Sequence, residues 1–285
     1  MLLKIIIVIA CVILVYIIWQ WQELKKFART DYEIKSGKVQ REYKAAVLAD
    51  LHGFQYGKDN IRLLDAIRSG QPDLILIPGD MVVSRKSDTY ETALKILEEL
   101  CRIAPVYYSY GNHESRAHIR KSEYQENFFA FENKVKELGI HVLHNETESF
   151  GELAVTGLEI PLSCYKKGVD VPLPQDYLEK TLPEQTEDTF QVLLAHNPRY
   201  AKEYADWGAD LTFCGHNHGG LIRIPGVGSL ISPQFQWFPK YDAGAFDFEG
   251  KKVIVSRGLG THTFHIRIFN RAELVFMVIK PQDIA

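Results

Sequence analysis

Apolar residues along the chain form one long run and nine short ones. From Leu2 to Trp19 the only charge is Lys4, and between Ile5 and Ile18 only Cys11 and Tyr16 are not aliphatic. About 20 apolar residues cross a bilayer as a helix, and a segment apolar on every face is not the pattern of a core helix. Trp19 and Trp21 sit at the far edge of the run, where aromatic belts form. Trp19-Gln20-Trp21-Gln22 is not a small-x-small cleavage site, which argues against a removed signal peptide. The pattern predicts an uncleaved anchor over 1–22, a polar juxtamembrane linker over 23–44 and a folded domain over 45–285.

The short runs predict strands at 45–49, 74–77, 106–110, 141–143, 153–158, 191–195, 211–214, 253–256 and 274–279. Between the first three, apolar residues recur at helical spacing. Ile61, Leu64 and Ile67 follow a possible Asn60 cap, and Leu94, Leu97 and Leu100 share one face of a helix over about 92–102. Ser122 and Gln125 resemble a capping box for a helix that Gly139 ends. Strands that are continuously apolar and separated by helices belong to an α/β sheet buried on both faces. The segment from Lys166 to Asp188 is rich in proline and charge and predicts a surface excursion.

Composition adds exclusions. With 285 residues, 46% apolar content and a net charge of -3, the chain is a globular α/β protein with no electrostatic case for binding nucleic acid. Its four cysteines, Cys11, Cys101, Cys164 and Cys214, are scattered, which rules out a disulfide framework or zinc ribbon. Lys25, Lys26 and Arg29 follow the anchor while only Lys4 and the terminal amine precede it, so the positive-inside rule tilts the domain toward the cytoplasm. The opposite orientation stays open.

The polar residues that matter stand where strands end. Ligands of open α/β sheets bind outside the carboxyl ends of the strands. Five such ends carry Asp50-Leu51-His52, Gly79-Asp80, Gly111-Asn112-His113-Glu114, His196 and Gly215-His216-Asn217-His218. In the last block, an extended chain would aim His216 and His218 the same way, with roughly 6.5–7 Å between α-carbons. Carboxylates mixed with imidazoles suit manganese, iron or zinc. Seven candidate ligands exceed one open mononuclear site and suit two metals that share a carboxylate.

In order, glycines and spacing, these five blocks resemble the calcineurin-like metallophosphoesterases over roughly residues 45–280. The resemblance implies that family's fold, two β-sheets flanked by helices in a four-layer α/β/β/α sandwich. It also implies two divalent metal ions, manganese ahead of iron or zinc. Asp50, His52, Asp80 and His218 would hold one metal, and Asp80, Asn112, His196 and His216 the other. His113 would stabilise the phosphoryl transition state or protonate the leaving oxygen, and Glu114 would orient it. Paired cations lower the pKa of a shared water, so hydroxide can attack a phosphoester near neutral pH.

A narrower resemblance runs from His218-Gly219-Gly220 through Phe238-Pro239-Lys240-Tyr241 and Ser256-Arg257-Gly258-Leu259-Gly260 to Asn270-Arg271. It is to membrane-associated bacterial phosphoesterases grouped with UDP-2,3-diacylglucosamine hydrolases. It implies a phosphorylated small-molecule or lipid substrate, and the anchor implies a membrane partner. Leu221 departs from that branch, where glutamine is frequent. Lys240, Arg257 and His262 are the candidate substrate contacts, against surface ion pairs. For Phe235, Trp237 and Phe238 ordinary packing is favoured over an apolar lip for acyl chains. The competing functions are a nucleotide or cyclic-nucleotide phosphodiesterase, a broad phosphatase, and a catalytically silent membrane scaffold.

Overall fold

In a computed structural model, residues 1–119, 123–261 and 265–282 are described. Two six-stranded sheets lie face to face. The first contains β1 (Phe27–Ser36), β14 (Ala272–Pro281), β2 (Tyr43–Val47), β3 (Leu74–Ile77), β4 (Val106–Ser109) and β5 (His141–Leu143), in that order. The second runs β12 (Gly244–Phe248), β13 (Lys251–Val255), β9 (Leu211–Cys214), β8 (Phe190–Ala195), β7 (Leu153–Leu158) and β6 (Thr147–Phe150). The pairs β2–β3, β3–β4 and β4–β5 are parallel, as are β7–β8, β8–β9 and β9–β13.

Alternation within each strand builds three cores. Ala45, Val47, Leu76 and Val275 of the first sheet meet Val155, Leu194, Phe213 and Ile254 of the second. The opposite face of the first sheet packs on α2 (Ile61–Gly70), α3 (Asp88–Cys101) and α5 (Glu123–Glu137) through Leu63, Ile67, Leu97 and Phe128. The outer face of the second covers α6 (Tyr177–Thr181) and α7 (Ala201–Trp207) through Leu178 and Tyr204. Helices outside two facing sheets give the four-layer α/β/β/α arrangement. The 166–188 excursion is thus docked in part, because Leu178 and Leu182 are buried.

The linker expectation is corrected. Residues 27–36 form β1, an edge strand paired in parallel with β14 at the other end of the chain. Thr30, Tyr32, Ile34 and Ser36 turn inward while Arg29, Asp31, Glu33 and Lys35 face solvent. This is period-2 alternation with the exposed edge protected by charge. The preceding helix, α1 (Leu2–Leu24), is exposed along its whole apolar length, with a mean hydropathy of 3.0 over its span window. Its end is held firmly. The Gln20 amide exchanges hydrogen bonds with the backbone of Arg267, at 3.0 and 3.1 Å, and Glu23 pairs with Arg271 at 2.5 Å. The Asn60 cap is also corrected, since its side chain accepts from Tyr56 N–H instead of capping α2. Ser122 lies outside the described residues.

Behind β4, His144 bridges Glu159 at 2.6 Å and Glu132 at 3.1 Å. Burial pulls His144 down, but the two carboxylates lift it to about 9, and His144 in turn draws Glu132 down to about 2. A raised histidine stabilises the fold fully below its unfolded value near 6.5 and loses that contribution as pH rises through 9. Glu132 works in the other direction, contributing above about 4.5 and losing it toward 2. Thermal melts from pH 6.5 to 9 are expected to show stability declining by about 1–2 kcal/mol, below the unscreened shift because the ring is partly exposed. His144→Gln should flatten that limb; an unchanged slope would dismiss the bridge.

Candidate metal centre

The seven strand-end residues converge. Asp50 follows β2, Asp80 follows β3, Asn112 opens α4 (Asn112–Ile119) after β4, His196 follows β8, and His216 and His218 follow β9. The backbone ladder continues beyond the strands and stitches these ends together: Asp50 N–H donates to Gly79 O, His52 N–H to Asp80 O, and Gly215 N–H to His196 O. A β-carbon on Gly79 would lie 2.3 Å from Gly111 N, and one on Gly111 would lie 2.2 Å from Asp80 Oδ1.

The extended geometry expected for His216 and His218 is not what forms. Both are left-handed, with φ of 67° and 49°, and so are Asp50, His52 and Asp80 at 53°, 50° and 57°. The consecutive turns split the pair, sending His216 toward His196 and Asp80 and His218 toward Asp50 and His52. Left-handed backbone costs an L-residue roughly 1–2 kcal/mol, least for Asp, Asn and His. Five such residues together weigh on the order of a domain's whole stability of about 5–15 kcal/mol. The turns persist only because their neighbours over-determine them.

Glu114 supplies much of that constraint. Fully buried, it accepts from Asp80 N–H at 2.9 Å, Gly111 N–H at 3.0 Å, Met81 N–H at 2.8 Å and the Tyr108 hydroxyl at 2.7 Å. It therefore holds the Asp80 turn; the expectation that it orients His113 is corrected. Neighbouring residues at a helix start point in different directions. Burial and the Asp80 charge push its carboxyl up, against donors that all favour the ionised form. Glu114→Gln turns one oxygen into a donor facing donors, and should cost about 3 kcal/mol. Thermal denaturation should show a fall of roughly 6–12 °C; an unaltered melting point would remove Glu114 from this role.

The imidazoles show how the cluster is poised. His196 Nδ1 lies 2.8 Å from Pro78 O, His52 Nδ1 3.3 Å from Val82 O and His218 Nδ1 3.3 Å from Gly260 O. A ring N–H spent on a carbonyl leaves the Nε2 lone pair facing inward, the tautomer of a metal ligand. Inside, His52 Nε2 and His218 Nε2 face each other at 3.1 Å, two lone pairs with no proton to share in that tautomer. Among the described residues the buried His216 Nε2 and Asn112 Oδ1 have no hydrogen-bond partner, and His196 Nε2 faces the Asp80 carboxylate 3.1 Å away. Unpaired buried acceptors are costly, and a cation beside them would satisfy His216 Nε2 and Asn112 Oδ1. The donor set therefore fits metal.

Burial pushes Asp50 up to about 7. Burial also pushes Asp80 up, but His196, His113 and His52 more than reverse it and hold the carboxyl well below the usual range. His196 Nε2 stands 3.1 Å from Asp80 Oδ2; burial pulls this histidine down, and Asp80 and Asp50 raise it to about 9. His216 and His218 are pulled well below neutral, first by burial.

His113 differs. A ring nitrogen approaches His52 and Asp80, yet its Nδ1 accepts from Ser84 N–H at 3.0 Å. The proton of the neutral ring then sits on Nε2, making it a donor and not a ligand. The cavity here, about 70 Å³, is lined by His52, Asp80, Asn112, His113, His216 and His218, with Arg116, Lys167 and Gln234 at its wall. Sequence reasoning missed the last three, which lie within a helix and on excursions rather than at strand ends.

Beside the cavity a groove of about 530 Å³ is lined by Arg199, Phe235, Trp237, Phe238, Lys240 and Tyr241. Lys240 reaches it, lying 4.9 Å above the Tyr241 ring. Trp237 and Phe238 are largely exposed, so packing does not account for them. Arg257 is turned away into an ion pair with the buried Glu273 at 2.8 Å, and His262 lies outside the described residues.

Residues 43–220 match the calcineurin-like phosphoesterase family model. Phosphodiesterase YaeI of Escherichia coli (strain K12) is 30% identical over 244 residues, covering 82% of this chain and 81% of that protein. The uncharacterized metallophosphoesterase YkuE of Bacillus subtilis (strain 168) is 24% identical, covering 89% and 86%. The UDP-2,3-diacylglucosamine pyrophosphatase LpxG of Chlamydia muridarum (strain MoPn / Nigg) is 23% identical, covering 91% and 92%.

Proposed function

Because the chain belongs to the calcineurin-like phosphoesterases, and so is a metal-dependent phosphoester hydrolase, we propose that it is a membrane-anchored dimetal enzyme. Its substrate on this reading is a phosphodiester or pyrophosphate of a lipid or nucleotide-sugar lipid. The observation that carries the reading is the pair of orphaned inward-facing acceptors, His216 Nε2 and Asn112 Oδ1, beside two buried aspartates. On this reading Asp50, His52, Asp80 and His218 would hold one metal, and Asp80, Asn112, His196 and His216 the other. The mix of carboxylate and imidazole suits manganese, iron or zinc, and manganese is the first to test.

When bound, such cations would lower the pKa of a water and offset phosphate charge. The chain's own residues do the rest. Carbonyls of Pro78, Val82 and Gly260 fix three imidazoles in the ligating tautomer. Ser84 N–H fixes His113 in the opposite one, so its Nε2 proton is directed to the leaving oxygen. Arg116 and Lys167 at the wall add positive charge beside the phosphate.

The lipid assignment is supported by the exposed apolar α1, the aromatic groove next to the cavity and the similarity to LpxG, a UDP-2,3-diacylglucosamine pyrophosphatase. The name of YaeI favours a diesterase as the second reading. Full-length protein with manganese should be assayed on UDP-2,3-diacylglucosamine, bis(4-nitrophenyl) phosphate, 4-nitrophenyl phosphate and a cyclic nucleotide. Cleavage of the lipid pyrophosphate in preference to the others is expected. Preference for the cyclic nucleotide or the monoester would overturn the lipid reading and leave the hydrolase.

A further inference from the structure

We propose that residues 222–238, together with Phe269, form a bilayer-contact surface on which the catalytic domain lies against the membrane that α1 enters. This rests on reading α1 as an anchor, and it deepens the proposed function: substrate would be taken from the leaflet without passing through water.

The argument starts at the end of α1. Trp19 and Trp21 mark the level at which the helix changes from apolar to charged, the depth of a headgroup region. That level is fixed relative to the domain. Gln20 holds the backbone of Arg267, Glu23 holds Arg271, and the Trp19 ring lies 6.5 Å from Phe269. Only two residues, Lys25 and Lys26, lie between α1 and β1, so no long tether separates domain from bilayer.

From Phe269 the surface continues without a break. Arg223 N–H donates to Ile268 O at 3.0 Å. The hairpin β10–β11 (Ile222–Ile224 and Gly228–Ile231) is bridged on one side to Ile268 and on the other, through Ile231, to Trp237. Phe238 N–H donates to Leu230 O. One small hydrogen-bonded layer thus links the anchor's end to the groove.

This layer presents large apolar groups to the outside. Val227, Trp237, Phe238 and Phe269 are each at least 59% exposed. Phe235, Phe238 and Phe269 are moreover left-handed, with φ of 62°, 46° and 49°. Bulky side chains rarely adopt that backbone, and here no buried packing repays it. Strain at such positions marks function, and an apolar medium outside the protein would offset both costs. Cations fringe the patch: Lys167 lies 5.0 Å above Phe235 and Lys240 4.9 Å above Tyr241, placed for anionic headgroups. Finally, the patch opens on the metal cavity. Gly168 N–H donates to Gln234 O, and the preceding Lys167 and Gln234 itself both line that cavity.

The test uses full-length protein in vesicles of phosphatidylcholine and phosphatidylglycerol carrying brominated acyl chains. Cys101→Ala removes the half-buried thiol. In one preparation Cys11 in α1 is labelled with a thiol-reactive fluorophore. In the others Cys11→Ser is combined with Val227→Cys, Trp237→Cys or, as a control at the opposite end of β8, Glu187→Cys. The labels at 227 and 237 should lose most of their emission to brominated lipid and the label at 187 none. Quenching at 11 without quenching at 227 and 237 would overturn the surface and leave the anchor. Labels at 227 and 237 that respond to protein density instead of bromine would show a second copy on this face, and overturn it as well. Loss of quenching at all three sites would sink the anchor and the surface together.

Discussion

Asp80→Asn is expected to lower turnover at least about 10³-fold and to strip metal from the protein, while leaving the fold intact. Asp80 Oδ1 is committed to His113 N–H at 2.8 Å, and Oδ2 stands 3.1 Å from His196 Nε2 and 3.8 Å from His52 Nε2. One oxygen therefore fixes the turn and the other faces imidazoles of both proposed metals. An amide preserves the size that Gly79 and Gly111 leave available. It removes the charge that two cations would share, and its NH₂ cannot ligate. Elemental analysis, turnover and circular dichroism on one preparation separate these effects. Native metal content with full turnover would refute the bridging role.

His113→Ala should have the complementary signature, with metals retained and turnover reduced by roughly 10²–10⁴, the usual contribution of a general acid. Its Nδ1 is occupied by Ser84 N–H, so deleting the ring removes a proton donor and no ligand. The loss should be smaller for a substrate whose leaving group is already acidic, such as a nitrophenyl ester, because a good leaving group needs no proton. Loss of metal in this variant would make His113 a ligand. An equal loss for good and poor leaving groups would deny it the proton.

Much of this candidate site is legible in sequence because the candidate ligands stand where apolar runs stop. Strands such as Leu74–Ile77 and Leu211–Cys214 announce themselves by continuous burial, and the polar residue after each is then conspicuous. The rest depends on partners distant in sequence. β1 pairs with a strand some 240 residues away (Phe27 with Ala272), and its four charged residues masked the alternation of Thr30, Tyr32 and Ile34. The left-handed turns at His216 and His218 arise from the tertiary stitching of strand ends, which local spacing does not encode. Glu114 looked like a companion of its neighbour His113, but its carboxylate serves a turn more than 30 residues earlier. Arg116 and Lys167 reach the cavity from a helix and an excursion, so nothing in their local pattern distinguishes them from surface cations.

On the proposed reading, seven strand-end residues would hold two metals that carry phosphoester hydrolysis. The most direct measurement is a titration of metal-free full-length protein with manganese, following bound metal and hydrolysis of bis(4-nitrophenyl) phosphate together. Activity should rise until two manganese ions are bound per chain, and chelator should abolish it. Saturation of activity at one ion per chain, or hydrolysis that persists in chelator, would contradict the account.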